Sequence, residues 1–166
     1  MRVLCRRAGR RDLDALQALW CQARSYEQKV DAHFEITRDA ESVAREHHEL
    51  ILSDPRSSFF VAEDLGEVLG YLHAQIETGP LGTLPSRYGE IVDLIVADGR
   101  RREGVARRLI AYCKEWFDGQ GVDEFRVTLP VNSGPAHRLF GAEGARPRTV
   151  TYRSALGTSR AGLKKD

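Results

Sequence analysis

The sequence predicts one α/β (α+β) domain, built as a mixed, mainly antiparallel sheet of six to seven strands with helices on both faces. The first observation is the order of apolar and amphipathic segments, β-α-α-β-β-β-α-β-α-β. The second is that three strand-like segments run together before the most regular helix, as in an antiparallel meander. The third is the length of 166 residues, which suits a single core. We predict a domain over residues 1–156 and a loose polar tail over 157–166.

The composition disfavours several classes of protein. Hydrophobic residues make up 42% of the chain and charged residues 30%, and the net charge of +1 gives no bulk attraction for nucleic acid. The three cysteines have no metal-ligand spacing and indicate free thiols in a reducing compartment. No apolar run is long enough to span a bilayer, and no signal-peptide pattern is present. We therefore expect a cytoplasmic protein with no metal, nucleic-acid or membrane partner.

The N-terminal third is predicted to form a short strand and two helices. The strand covers residues 3–5, and the first helix begins at Asp12 as N-cap, with Leu13, Leu16, Leu19 and Trp20 on its apolar stripe. Residues 25–37 lack periodicity and are expected to form a loop or a frayed helix. A second helix is expected over about 39–52, and its inner face would carry Val43, His47, Leu50 and Ile51.

The middle of the chain is predicted to be a hairpin followed by the central strand. The hairpin strands are 58–63 and 68–77, and Asp64-Leu65-Gly66-Glu67 forms their turn. A loop rich in glycine and proline follows over 78–87. Residues 88–90 then lead into an apolar strand over 91–96.

The stretch from 97 to 117 is a turn crowded with arginine, followed by an amphipathic helix. The helix opens at about Gly104, and Val105, Leu109, Cys113, Trp116 and Phe117 form its apolar face. Its first N–H groups and the neighbouring arginines suit an anion such as phosphate, although an ordinary solvated turn is the alternative. Neither a Gly-Lys-Ser/Thr sequence nor a Gly-x-Gly-x-x-Gly fingerprint is present. A parallel strand over 125–129, a short helix over 135–140 and a last strand over 150–153 complete the prediction.

Two sequence blocks carry a resemblance to a known family. Arg101-Arg102-Glu103-Gly104-Val105-Ala106 fits the pattern Gln/Arg-x-x-Gly-x-Gly/Ala, which is the acetyl-CoA motif of the GNAT superfamily of N-acetyltransferases. Asn132, Ala136, Leu139-Phe140 and Gly144 resemble the second block of that family. The resemblance covers about residues 2–154.

The resemblance implies acetyl-CoA as cosubstrate and no metal. It places the pyrophosphate at the arginine turn and the pantetheine arm in a gap between the fourth and fifth strands. The residues expected to bind the cofactor by this resemblance are Leu94, Ile95, Val96, Arg101, Arg102, Glu103, Gly104, Val105, Ala106, Asn132, Ala136 and Phe140. Many relatives are dimers and some are monomers, so the resemblance allows either a homodimer or a monomer.

Acetyl transfer to an amine needs a base and a proton donor. Glu90 is the candidate base, because some family members carry a catalytic Glu in the same Glu-Ile-Val setting. Asp93 is its rival, and simple strand alternation puts the two on opposite faces of the sheet. The alternative for both carboxylates is an ion pair with the arginine turn. Phe140 stands where relatives often have a tyrosine donor, so the proton would come from Tyr152, His137 or water.

The acceptor is expected to be the primary amine of a small molecule or a peptide. By the resemblance, the segment after the first helix lines the acceptor pocket. Its candidate contacts are Tyr26, Glu27, His33, Phe34 and Glu35, together with Asp93. The sequence thus predicts an N-acetyltransferase that works by direct attack in a ternary complex. A non-catalytic module that binds acetyl-CoA or CoA is the alternative, and a structural or nucleic-acid-binding domain is disfavoured by the net charge.

Overall fold

The computed structural model describes residues 2–30 and 34–152. Its contacts group the chain into two compact units, Met1–Thr128 and Leu129–Asp166. The strands of the first unit are β1 Leu4–Arg7, β2 Ser57–Asp64, β3 Glu67–Thr78, β4 Arg87–Val96 and β5 Phe125–Val127. Its α-helices are α1 Leu13–Val30, α2 Ala40–Ile51 and α3 Val105–Gly119, and single 3-10 turns lie at Arg10–Asp12 and Asp98–Arg100. The second unit contains α4, Gly134–Ala142.

The five strands form one sheet in the order β1-β2-β3-β4-β5. Every neighbouring pair is antiparallel except β4 and β5, which are parallel. The class of fold is as predicted, but the count of six to seven strands is wrong for the described residues. The expected last strand is missing over 150–152, and Arg153 lies outside the described residues. Val150 and Tyr152 are 68% and 92% exposed there, so this segment buries no apolar face that would hold it in a sheet.

Helices cover both faces of the sheet in the first unit. Tyr71 of β3 packs in the core beneath α1 and α2 with Leu16, Leu19, Ile51, Phe59, Val61 and Ile95. The adjacent Gly70 faces the other way, because a Cβ added to it would lie 3.4 Å from Val105 of α3. The α3 face carries the buried residues Val105, Leu109, Ile110, Cys113 and Phe117, which agrees closely with the predicted stripe.

The two N-terminal helices differ from the prediction in extent and rotation. The helix α1 continues to Val30, so residues 25–30 of the stretch expected as a loop or a frayed helix are helical. The helix α2 buries Ala44, His48 and Ile51, whereas Val43 and Leu50 are 54% and 71% exposed. The buried face of α2 is therefore rotated by about one residue relative to the face that the sequence predicted.

The second unit is built around α4. Pro135 lies in the first turn of this helix, where its missing N–H costs no hydrogen bond. Phe140 is its buried residue, and the backbone N–H of Ala145 returns to the carbonyl oxygen of Phe140 at 3.0 Å. Gly144 permits this reversal with a φ of +88°.

Candidate active site

A bulge interrupts β4 in the middle of the predicted catalytic strand. Ile91 lies opposite Ala74 of β3, and the next pair joins Asp93 to His73. Val92 is therefore an extra residue with no partner in the β3–β4 register. A bulge of this kind bends the strand and changes which side chains point to each face.

The bulge brings Glu90 and Asp93 to the same face of the sheet. Glu90 pairs with Gln75, Asp93 pairs with His73, and residues two apart on the regular strand β3 share a face. The expectation that these carboxylates lie on opposite faces is therefore wrong, because it assumed unbroken alternation along β4. The shared face is the one covered by α1, since Arg24 of α1 donates a hydrogen bond to Asp93.

Glu90 is held by an amide and not by a cation. Nε2 of Gln75 donates to Oε2 of Glu90 at 2.9 Å and to Oε1 of Glu77 at 2.8 Å, so its two hydrogens clamp both carboxylates. Within residues 2–30 and 34–152, no Lys, Arg or His forms an ion pair with Glu90. Its carboxylate is therefore oriented while its charge is left without a partner there.

Asp93 is instead part of a charged cluster with α1. The guanidinium of Arg24 lies 2.9 Å from Oδ1 of Asp93 and 3.0 Å from Oε2 of Glu27. Burial raises the pKa of Asp93 above its usual value, and the nearby Arg24 partly opposes this change. Burial also raises the pKa of Glu27, which Arg24 again opposes. Arg24 further contacts the rings of Trp20 and Phe34, at 5.6 and 5.9 Å from their centroids.

The arginines of the turn do not pair with either candidate base. Arg100 bonds Glu67 at 2.9 Å, and Arg101 bonds Asp98 at 2.7 Å. Arg102 forms no ion pair with a carboxylate in the described part of the chain, and its guanidinium is exposed. The alternative in which Glu90 or Asp93 merely neutralises the turn is therefore wrong for the described residues.

One edge of β4 is open beyond the bulge. The parallel pairing with β5 covers only Gly89, Glu90 and Ile91, whereas β4 continues to Val96. Among the described residues, no strand pairs with this edge over 92–96. The predicted residues Leu94, Ile95 and Val96 thus have backbone groups on an open edge, which suits hydrogen bonds with the amides of an extended ligand.

The open edge leads directly into the turn before α3. Gly104 is the N-cap with a φ of +81°, and no atom would lie within 4 Å of a Cβ placed on it. Arg102 also has a positive φ, +68°. The first N–H groups of α3 have no partner within the helix and carry partial positive charge. Glu103 is exposed and Ala106 is half-buried, so small or solvent-facing residues surround these donors.

A pocket of about 380 Å³ lies on the α1–α2 face of the sheet. Its floor includes Phe59, His73, Val92 and Asp93, and its walls come from α1 and α2. Phe34, which was predicted to contact the acceptor, is one of the residues that line this pocket. The full lining is Trp20, Arg24, Phe34, Ile36, Thr37, Ala40, Val43, Ala44, His47, His48, Ile51, Phe59, His73, Val92 and Asp93.

The other predicted site residues are placed elsewhere or remain predictions. Tyr26 is half exposed and its ring meets the guanidinium of Arg101 at 5.4 Å, which connects α1 to the turn. Glu35 is exposed, and His33 lies outside the described residues. Tyr152 is 92% exposed in the second unit, which also holds Asn132 and Ala136, so the roles of all three stay predictions.

Four site residues were missed by the sequence reasoning. Trp20 and Arg24 are one helical turn apart on α1, a spacing that puts them on the same side of a helix. His73 and Gln75 alternate on β3 and flank the bulge. The period of each element could have grouped these pairs, but only the register shows which of them reach Glu90 and Asp93.

Comparison with known proteins decides the family. The sequence profile of the Acetyltransferase (GNAT) family matches residues 13–144. The chain belongs to the GNAT family. The matched range includes the arginine turn and the open edge of β4, and the family is one of acetyltransferases.

Two relatives with named activities are N-acetyltransferases. The chain is 33% identical over 94 residues to an N-alpha-acetyltransferase of Sulfurisphaera tokodaii, covering 54% of this chain and 56% of that protein. It is 30% identical over 118 residues to an aminoglycoside N(6')-acetyltransferase type 1 of Serratia marcescens, covering 64% and 76%. The chain thus spans little more than half the length of the first relative.

Solved structures share the fold at low identity. A tetramutant of a Bacillus halodurans protein superimposes with a TM-score of 0.81 at 18% identity, covering 92% of this chain and 99% of that one. An aminoglycoside 6'-N-acetyltransferase bound to a CoA-S-monomethyl-acetylneamine bisubstrate analogue gives 0.71 at 21% identity, covering 94% and 100%. These likenesses establish the GNAT fold.

Neither a membrane span nor a metal centre is found in the described part of the GNAT chain. None of the described helices combines the length and apolar character that crossing a bilayer demands. No group of three or more His, Cys, Asp or Glu side chains there is arranged to hold a metal ion.

Proposed function

We propose that this GNAT protein transfers the acetyl group of acetyl-CoA to a primary amine, with Glu90 as the base. The observation that carries the proposal is the position of Glu90. It lies in the last paired stretch of β4 and β5, just before the edge opens, and its carboxylate has no cation partner among the described residues. An oriented carboxylate beside a ligand edge is well placed to accept the proton of an amine.

The residues around the bulge supply the other requirements of the reaction. Acetyl-CoA brings the activated acetyl thioester. The bulge leaves Val92 without a Cα partner in the β3–β4 register, and we assign its backbone N–H as the donor to the thioester oxygen. The amine nitrogen forms a bond to the carbonyl carbon, its proton passes to Glu90, and the carbon–sulfur bond breaks to release the thiolate.

The proton for the thiolate is assigned to Tyr152. Tyr152, which is 92% exposed, is one of the three donors that the sequence offers in place of the missing tyrosine, and His137 and water are the others. A thiol has an ordinary pKa of about 8.5, so the leaving group needs little help near neutral pH. Loss of Tyr152 should therefore affect turnover less than loss of Glu90.

The named relatives support an amine acceptor. One acts on an alpha-amino group and the other on an aminoglycoside 6'-amino group, according to their names. Both are primary amines, which agrees with the chemistry assigned to Glu90. The class of amine is a separate question from the reaction itself.

The test is free-thiol release from acetyl-CoA over a panel of primary amines. Glu90→Gln should lower kcat by about 100-fold or more, the usual range for a general base. Glu77→Gln is the matched control, since Glu77 accepts a hydrogen bond from the same Gln75 nitrogen. It should change kcat only a few-fold, and Tyr152→Phe should fall between the two.

Two results would contradict the proposal. Equal losses in Glu77→Gln and Glu90→Gln would remove the special role of Glu90. Tight binding of acetyl-CoA without thiol release from any amine would instead favour the non-catalytic binding module.

A further inference from the structure

We propose that the pocket on the α1–α2 face binds an apolar ring of the acceptor, so that the preferred substrate is a ring-bearing primary amine. The inference rests on the N-acetyltransferase function proposed above and specifies its substrate class. It comes from three features of the pocket, which are its lining, its charge balance and its distance from Glu90.

The lining of the pocket is mainly apolar and partly aromatic. Trp20 and Phe34 contribute rings, and Phe59 forms part of the buried floor. Val43 and Val92 are 54% and 44% exposed, although both are apolar. Apolar side chains that face a concave surface gain free energy when a ligand covers them.

The two charged side chains of the described lining pair with each other. Among the described residues that line the pocket, Arg24 and Asp93 are the only Asp, Glu, Lys or Arg side chains, and they bond each other at 2.9 Å. Glu27 approaches the same guanidinium at 3.0 Å, so both carboxylates already face a cation of the protein. An aminoglycoside or polyamine carries several positive charges, which this lining would bury without partners.

The distance to Glu90 suits a short spacer between the amine and the ring. His73 and Asp93 of the pocket floor face the same way as Gln75 and Glu90. Two residues along a strand separate these pairs, which is about 7 Å. An amine at Glu90 can therefore place a ring in the pocket through a chain of a few carbon atoms, as a free arylalkylamine or as an N-terminal aromatic residue does.

The experiment compares amines that differ only in the ring. Thiol release is measured with two matched pairs, phenethylamine against ethylamine and Phe-Ala amide against Ala-Ala amide. Kanamycin and spermidine are measured beside them. The ring should raise kcat/KM at least tenfold in each matched pair, and the size of the gain in the two pairs tells free amines from peptides. Kanamycin and spermidine should be poorer than either ring-bearing substrate.

A pair of variants on one helix tests the pocket itself. Val43→Glu puts a charge on the exposed edge of the pocket, whereas Leu50→Glu puts the same charge on α2 outside this pocket. Val43→Glu should raise KM for phenethylamine about tenfold and leave KM for ethylamine within twofold. Leu50→Glu should change neither value.

Binding separates failure of this inference from failure of the proposed function. Trp20 lines the pocket and is one of two tryptophans, so phenethylamine should change its fluorescence saturably, and Trp20→Phe should abolish that change. Saturable binding without thiol release would support the pocket and refute the transferase reaction. Thiol release with no gain from the ring, or with kanamycin or spermidine preferred, would overturn the inference while leaving the reaction intact. No saturable binding and no release would overturn both.

Discussion

Glu90 and Asp93 differ in their nearest neighbours, and this difference is the reason for proposing Glu90 as the base. The sequence singled out Glu90 and Asp93, but it could not choose between them beyond the family setting. In the structure, Arg24 forms an ion pair with Asp93, whereas the neutral side-chain amide of Gln75 orients Glu90. The contact with Arg24 joins residues 69 positions apart in the chain, so no local pattern could reveal it.

The ion pair of Arg24 and Asp93 should behave as a mostly buried pair. Their side chains are 20% and 23% exposed, so loss of one partner should cost somewhat less than a fully buried pair does. We expect Arg24→Gln to lower the free energy of unfolding by roughly 2 to 3 kcal/mol, because it leaves a buried carboxylate without its cation. Urea unfolding at pH 7 measures the change.

A double variant is the control for this prediction. Asp93→Asn added to Arg24→Gln removes the more buried of the two carboxylates that lose their cation and should restore part of the lost stability. A double variant no more stable than Arg24→Gln alone would show that the loss came from packing of the long Arg24 side chain on Trp20 and Phe34.

At the scale of elements, the buried face of a regular helix was predicted well, whereas a bulge in a strand and the rotation of a helix were not. The α3 stripe followed a clean helical repeat, and the structure buries four of its five predicted residues. The β4 bulge has no sequence signal of its own, because Val92 is an ordinary strand residue. The rotation of α2 was missed because small Ala44 faces the sheet, whereas the larger Val43 beside it is exposed.

The hairpin between β2 and β3 offers a stabilising change. Its turn residues Leu65 and Gly66 have φ values of +50° and +85°, and the left-handed region is unfavourable for leucine. Leu65→Asn should raise the free energy of unfolding by about 1 kcal/mol, since asparagine tolerates this conformation. Thermal unfolding measures the effect, and Leu81→Asn is the matched control because Leu81 is equally exposed without a positive φ. An equal gain at both positions would point to exposure rather than backbone strain.

Packing of α3 on β4 depends on the absence of a side chain at Gly89. A Cβ placed there would overlap the ring of Phe117, which is 3% exposed. Gly89→Ala should therefore lower stability by roughly 1 to 3 kcal/mol, the usual cost of overpacking a core. Gly99→Ala, where a Cβ would have open space, should be close to neutral in the same urea titration. If Phe117→Leu added to Gly89→Ala brought no recovery, ring overlap would not be the cause.

At the scale of the whole molecule, the order of helices and strands along the chain was easier to predict than the strand at which the sheet ends. The two sequence blocks and the order of elements led to the correct family and class. The last strand was expected from Val150 and Tyr152, whose alternation resembles a half-buried strand, but both are exposed. Alternation predicts a strand only where another element covers the apolar face, and that depends on contacts distant in sequence.

Acid should destabilise the fold through two buried histidines. Burial lowers the pKa of His48 to about 4, and burial together with nearby His47 and His48 lowers that of His73 to about 4. Because the unfolded chain binds these protons near pH 6.5, it binds more protons than the folded chain between pH 6.5 and about 4. Stability should then fall as pH drops through this window, by on the order of 3 kcal/mol for each ring.

The raised carboxylate pKa values act in the opposite direction. Burial raises the pKa of Asp93 and Glu27, so the folded chain gains protons at these groups before the unfolded chain does, which favours folding as pH falls. A single pH curve mixes both effects, and a variant is needed to isolate the histidine contribution. His48→Phe keeps an aromatic ring beside Phe59, which lies 5.2 Å away between centroids, and removes one titrating group.

The decisive comparison is therefore between the slopes of the free energy of unfolding plotted against pH. The free energy of unfolding of His48→Phe should change less between pH 7 and pH 4.5 than that of the natural chain. Leu109→Ala, which opens the buried α3 face without touching either histidine ring, should lower the whole curve and keep its slope. Parallel curves for the natural chain and His48→Phe would mean that the buried ring takes up its proton without unfolding. The charge would then have to be accepted locally, for instance by an opening of the pocket that His48 and His73 line.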